Sequence, residues 1–130
     1  MTDPRIDKLA QVMVHYSLDI RPGQKFLISS TPLAEELVYP VYRLAIDAGA
    51  QVHTDIRLSL EQEIFMKHAN DEQLDFISPI EAMVTKDFEA LLSIWADSNT
   101  KRLSGIDPTR ITRHRRARAD LSKIYHERAA

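Results

Sequence analysis

The chain has 130 residues, of which 44% are hydrophobic and 28% charged, and its formal net charge is −2. This length suits one globular domain, and the apolar content excludes disorder as the default state. No apolar run approaches the roughly 18 residues that cross a bilayer, and the start "MTDPRIDKLAQ" lacks the regions of a secretory signal. Cysteine is absent, which excludes disulfides and thiolate chemistry, so we expect a cytoplasmic protein.

The charge is divided unevenly along the chain. Residues 110–130 carry seven Lys or Arg and two acidic side chains, whereas residues 1–109 carry ten basic and 17 acidic side chains. A basic end beside an acidic body is typical of a nucleic-acid patch, or of a segment that lies on an acidic surface of its own protein.

The first half of the chain predicts helix, strand, helix and strand. Asp3 and Pro4 suit a helix start, and "RPGQ" predicts a turn before a buried strand over Lys25–Ser29. A second helix then begins near Ser30 or Thr31 and ends at Gly49. Its expected inner stripe is Leu37, Val41, Leu44, Ala45 and Ala48.

The segment Gln51–Ser59 alternates in polarity, as a strand does, with Val52, Ile56 and Leu58 on one face. Strand, helix and strand within so short a span predict a right-handed βαβ unit with parallel strands.

The second half predicts three short helices, a third strand and a long final helix. The short helices cover Leu60–Ala69, a segment from Asn70 or Asp71 to Ile77, and a segment from Ser78 and Pro79 to about Lys86. The buried strand is Ala90–Ala96, and a loop with a helical turn covers residues 97–108. The last helix runs from Pro108 to the end, and its expected inner side chains are Ala117, Leu121, Ile124 and Tyr125.

These elements predict an α/β fold of three layers, in which a small, mostly parallel sheet of about three strands is flanked by helices. Parallel sheets seldom stop at three strands, and a helix that follows a strand in this architecture normally leads to another strand. We therefore expect residues 1–130 to be the N-terminal part of a larger protein.

The first candidate site is the turn after the first strand, because ligands of open α/β sheets bind at the carboxyl ends of strands. The chain has no glycine-rich phosphate motif and no nucleophile-elbow motif, and Glu35 and Glu36 would repel an anion there. Helix capping is therefore the expected role of Ser30 or Thr31.

His53 and Asp55 are the second candidate, because two positions apart on a strand they share one face and resemble half of a metal site. No third ligand follows a recognisable pattern. The acid pairs Glu61 with Glu63, Asp71 with Glu72, and Glu81 with Asp87 are expected to be caps and solvated faces.

The basic segment Arg110–Arg128 is the third candidate. Helical spacing puts Arg113, Arg116 and Lys123 on one side with Asp120 and Glu127, and predicts the pairs Arg116 with Asp120 and Lys123 with Glu127. This mixed face favours an intramolecular or interdomain role over nucleic-acid binding.

Four stretches, "DPRIDKLAQVMVHYSLDIRPGQKFLIS", "LVYPVYRLAIDAGA", "NDEQLDFISP" and "NTKRLSGIDPTR", resemble the N-terminal domain of the thermophilic-type metallo-aminopeptidases, the family of aminopeptidase T and aminopeptidase S. The resemblance covers essentially the whole chain in order. Its motifs are structural and carry no chemistry.

The resemblance implies a longer, cytoplasmic homodimer that removes N-terminal residues from peptides with two divalent metal ions, which are zinc, cobalt or magnesium. It places the metal ligands in a C-terminal catalytic domain, so no catalytic, cofactor or metal residue is assigned in residues 1–130. The segment is then expected to be inactive alone and to shape the cleft and make interdomain or dimer contacts, with neither nucleic acid nor membrane as a partner.

One alternative stays open. A free-standing binding module could use Arg110–Arg128 to hold nucleic acid or an acidic protein.

Overall fold

A computed structural model describes residues 3–94 and 105–129. The chain divides into two compact units. The first, which we call the sheet unit, contains the described residues 3–59 and 88–94; the second, the helical unit, contains residues 60–87 and 105–129.

The sheet unit is built on three parallel strands in the order β2-β1-β3. They are β1 Lys25–Ser30, β2 Gln51–Ile56 and β3 Ala90–Ile94. The central strand buries Phe26, Leu27 and Ile28, as its continuous apolar run predicts for a strand covered on both faces. The predicted α/β class, with a small parallel sheet flanked by helices, is therefore confirmed.

The second strand is shorter than predicted, because it ends at Ile56 instead of Ser59. Its partner β1 ends at Ser30, which lies opposite Ile56, and the last link is the Arg57 amide donating to the Ser30 carbonyl at 2.9 Å. Ile56 and Leu58 were expected on the buried face but are 46% and 65% exposed. Of the three residues predicted for that face, only Val52 packs against the core of the sheet unit.

The helices of the sheet unit cover the sheet through one core. They are α1 Pro4–Gln11, a π-helical segment Val12–Ser17, a 3₁₀ turn Pro32–Ala34 and α2 Glu35–Asp47. Asp3 caps α1, since its Oδ1 accepts from the Arg5 amide at 2.9 Å, as predicted. Of the expected inner stripe of α2, Val41 and Ala45 are fully buried, while the remaining members pack partly buried against the core.

Two glycines form the turns at the amino edge of the sheet. Gly23 and Gly49 have φ of +80° and +87°, and the Gly23 amide donates to the Gly49 carbonyl at 2.9 Å. Gly49 also ends the helix as predicted, with its Cα hydrogen facing Pro22, where a Cβ would lie 3.2 Å from the proline ring.

The helical unit contains five helices in its described part. They are α3 Glu61–His68, α4 Asp71–Asp75, α5 Pro79–Asp87, α6 Pro108–Ala117 and α7 Ala119–Ala129. Its small core consists of Met66, Ala69, Leu74 and Ile106. Asn70 caps α4 in a reciprocal capping box with Gln73, as the sequence predicts, although α4 ends at Asp75 instead of Ile77.

The predicted single last helix is wrong, because α6 and α7 are separated at Arg118. This residue has φ −95° and ψ 7°, and its amide donates to the Arg115 carbonyl in a tightened turn. The Arg118 side chain is held by groups distant in sequence, so tertiary contacts accompany the break. Ala117, Leu121 and Ile124 are half-buried as predicted, but Tyr125 is 46% exposed.

Of the predicted loop with a helical turn over residues 97–108, residues 97–104 lie outside the described residues, as does the predicted end of the third strand at Ala96. In the part of the chain that is described, no helix is long and apolar enough to span a membrane.

Candidate functional site

The carboxyl edge of the sheet is formed at its centre by Ser30 and Thr31, which are 0% and 4% exposed. Thr31 occupies the N-cap position of the 3₁₀ turn that leads into α2, as predicted, but its side chain makes no capping hydrogen bond. Ser30 is no cap either, because its Oγ donates to the Thr31 carbonyl at 3.2 Å. The Ser30 hydroxyl is buried and bonded to the carbonyl of the next residue, so it is not presented as a nucleophile or an anion donor.

Acidic side chains occupy the first turn of α2 at this edge. Glu35 and Glu36 stand there, and the Tyr39 hydroxyl donates a short hydrogen bond to Glu35 Oε1. This hydrogen bond raises the pKa of Tyr39. Negative charge here disfavours a phosphate or carboxylate ligand, as the sequence predicts.

His53 and Asp55 lie on the edge strand β2. His53 is exposed, and Asp55 Oδ2 accepts from Arg57 Nε at 3.3 Å. Asp55 is thus engaged in an ion pair, and no further His, Asp or Glu joins the pair within the described residues.

One acid of each predicted pair contacts a basic side chain. Glu63 accepts from Lys67 at 2.9 Å, and Glu81 accepts from Arg118 at 3.1 Å. Asp71 lies 3.3 Å from Arg113. None of these contacts brings two carboxylates together as a general acid and base.

The divalent metal ions that the resemblance implies would need several grouped His, Asp or Glu ligands. Across residues 3–94 and 105–129, no three His, Asp or Glu side chains are grouped to hold a metal ion. The described side chains therefore do not fit a metal centre, and no metal-dependent step is assigned to them.

The basic segment binds the rest of the helical unit through α6. Arg110 donates from Nε to the Met66 carbonyl at 2.9 Å and from a terminal nitrogen to the Ala69 carbonyl. Both carbonyls lie at the C-terminal end of α3, where helix carbonyls lack intrahelical partners and attract positive charge.

Arg113 forms a two-pronged pair with Asp75, at 2.8 and 2.6 Å. The hydrogen bonds to Arg113 lower the pKa of Asp75, and the same bonds raise the pKa of Arg113. This geometry is the planar fork that guanidinium and carboxylate groups share. It fixes α6 against α4.

Arg118 and Arg128 bind further along the unit. Arg118 donates to Glu81 and to the Phe76 carbonyl, and Arg128 donates to the Thr85 carbonyl at 2.7 Å. Beside Arg118, burial and the nearby guanidinium lower the pKa of His114.

The predicted intramolecular role is thus confirmed for four of the seven cations, but through other partners than expected. The i,i+4 pairs of Arg116 with Asp120 and of Lys123 with Glu127 are not among the ion pairs of the described residues. Arg113 and Arg116 do line one shallow pocket, as their shared helical side predicts, but only Arg113 is paired with α4, through Asp75. Sequence reasoning missed these partners, since each lies tens of residues away and leaves no local signal.

Comparisons with known proteins define the family. A family model described as thermophilic metalloprotease (M29) matches residues 2–130. A search of curated proteins gave no match. Among solved structures, the wild-type AmpT of Thermus thermophilus is similar in fold, with a TM-score of 0.74 and 22% sequence identity, over 97% of this chain and 33% of that chain.

The chain therefore spans about a third of the length of AmpT. At this identity the likeness shows the fold alone, whereas the family model covers nearly every residue. The chain belongs to the thermophilic metalloprotease (M29) family.

Proposed function

We propose that this chain is the N-terminal α/β domain of a metal-dependent aminopeptidase, which releases N-terminal amino acids from peptides. The observation that carries the proposal is the family match over residues 2–130. The metal ligands are assigned to a separate catalytic domain, because the described residues offer no group of three ligands.

The proposed role of the domain is to shape the substrate cleft and to contact the catalytic domain or a second subunit. Two surfaces support it. In the described sheet, β2 and β3 each pair on one side only, and an edge strand presents backbone groups to a further partner.

The second surface lies on α2. Tyr39, Tyr42 and Ile46 follow helical spacing, and they are 63%, 41% and 47% exposed. Aromatic side chains of this kind are enriched at protein interfaces, where they supply contact area at low entropic cost. We expect them to be covered in the assembled enzyme.

A peptide hydrolysis assay tests the proposal. Release of an N-terminal residue is measured with added zinc, cobalt or magnesium, for this chain and for the protein expressed from its complete gene. We expect metal-dependent turnover from the complete product and none above background from residues 1–130. Turnover by the short chain, or a complete product that stays inactive with every metal, contradicts the proposal.

A further inference from the structure

The seven cations of residues 110–130 fall into two sets with different surroundings. Four are held within the helical unit by carboxylates or backbone carbonyls of α3, α4, α5 and the segments that follow them; these are Arg110, Arg113, Arg118 and Arg128. The other three are exposed, and no hydrogen bond or ion pair joins them to a described residue; these are Arg115, Arg116 and Lys123.

The three outward cations line one shallow groove, which runs along α6 and α7 across their junction. The groove has a volume of about 480 Å³, and its other lining residues are Thr112, Ala119, Ser122 and His126. Its lining therefore combines three cationic side chains with the hydroxyls of Thr112 and Ser122. All of its lining residues belong to the helical unit.

We propose that this groove, the basic groove, binds an acidic polypeptide segment of a partner protein. Guanidinium groups at Arg115 and Arg116 offer forked donors that match carboxylates, and Lys123 adds a mobile point charge. The small side chains of Ala119 and Ser122 in the lining leave space for the backbone of a bound segment. The inference goes beyond the peptidase assignment and does not depend on it.

The acidic neighbours of the groove favour a polypeptide over a nucleic acid. By helical spacing Asp120 lies beside Arg116 and Glu127 lies beside Lys123. A phosphate backbone would place a charge along the whole face and meet both carboxylates. A peptide can put its carboxylates at the three cations and leave the acidic edge unoccupied. Tyr125 does not line the groove, so the one ring in its lining is the imidazole of His126.

Fluorescence anisotropy with a labelled oligoglutamate peptide tests the basic groove, with the full 130-residue chain at low ionic strength. The test variant is Arg115→Gln, Arg116→Gln and Lys123→Gln together. The matched control is Lys8→Gln, Arg43→Gln and Lys86→Gln together, because these cations are also exposed and the net charge falls equally. Circular dichroism confirms that both variants fold.

We expect the test variant to lose affinity by about tenfold, because three exposed ion pairs together supply about 1.4 kcal/mol, and the control to lose far less. Physiological salt should weaken binding by the unaltered chain. Absence of binding to oligoglutamate, or equal loss in both variants, overturns the inference. Tighter binding of a duplex DNA of matched charge, lost in the same test variant, also overturns it in favour of nucleic acid.

Discussion

At the scale of single residues, the capping box of α4 is the most local determinant of the helical unit. Asn70 Oδ1 accepts from the Gln73 amide at 2.8 Å, and Gln73 Oε1 accepts from the Asn70 amide at 2.8 Å. We expect Asn70→Ala to lower the free energy of unfolding by about 1 kcal/mol, the usual cost of a lost cap. Urea denaturation measures it, and Asn70→Ser, which keeps an acceptor, should recover most of the loss. An unchanged midpoint in Asn70→Ala would show that the cap carries no stability.

The pair of Asp75 with Arg113 predicts a pH dependence at the same scale. Because the pKa of Asp75 is lowered on folding, the pair stabilises the folded chain above the unfolded pKa of about 3.9. That contribution is lost as the pH falls through the lower folded pKa. We expect Asp75→Asn to be less stable than the unaltered chain at neutral pH and the two to converge in acid.

Denaturation curves at several pH values measure this convergence. Glu72→Gln is the matched control, since Glu72 is an exposed carboxylate of the same helix and is not among the partners of Arg113. A gap between Asp75→Asn and the unaltered chain that persists undiminished in acid would contradict the assignment.

At the scale of elements, the end of α2 depends on the backbone conformation of Gly49. An alanine there must adopt φ near +87° and place its Cβ 3.2 Å from Pro22. We expect Gly49→Ala to destabilise the chain by about 1–2 kcal/mol from left-handed backbone strain, with crowding in addition. Gly23→Ala should lower the free energy of unfolding through backbone strain alone, because Gly23 has φ +80° but no atom near its added Cβ. Gly105→Ala should have the smallest effect, because Gly105 has neither a positive φ nor a close neighbour. Thermal unfolding ranks the three, and the reverse order would refute this explanation.

Elements whose causes are local could be predicted from the sequence. Adjacent residues determine the caps at Asp3 and Asn70 and the buried strand β1, and the structure contains all three. Features that depend on residues distant in sequence could not be predicted in this way. The end of β2 follows from the length of β1, and the break at Arg118 accompanies contacts with Glu81, 37 residues away.

The same distinction applies to the candidate sites. The sequence indicated that the basic segment serves its own protein, because acids are mixed into it, but helical spacing alone chose the wrong pairs. The partners of Arg113 and Arg118 lie on α4 and α5. No local pattern in residues 110–130 indicates where those two helices pack. For His53 and Asp55 the sequence offered no third ligand, and the ion pair of Asp55 with Arg57 was not predicted.

At the scale of the whole molecule, the chain combines a family defined by metal chemistry with a described structure that groups no metal ligands. The two facts are consistent if the chain supplies fold and contact surfaces and another part of the enzyme supplies the metal centre. These two roles would then belong to different parts of one protein. Metal binding by residues 1–130 tests this separation more directly than peptide turnover does.

Isothermal titration of the 130-residue chain with zinc, and separately with cobalt and magnesium, tests that claim most directly. The account predicts heats of dilution alone, with no saturable site, whereas the product of the complete gene should bind metal at a fixed stoichiometry. A saturable, stoichiometric site in residues 1–130, lost in a His53→Gln and Asp55→Asn variant that still folds, would contradict it.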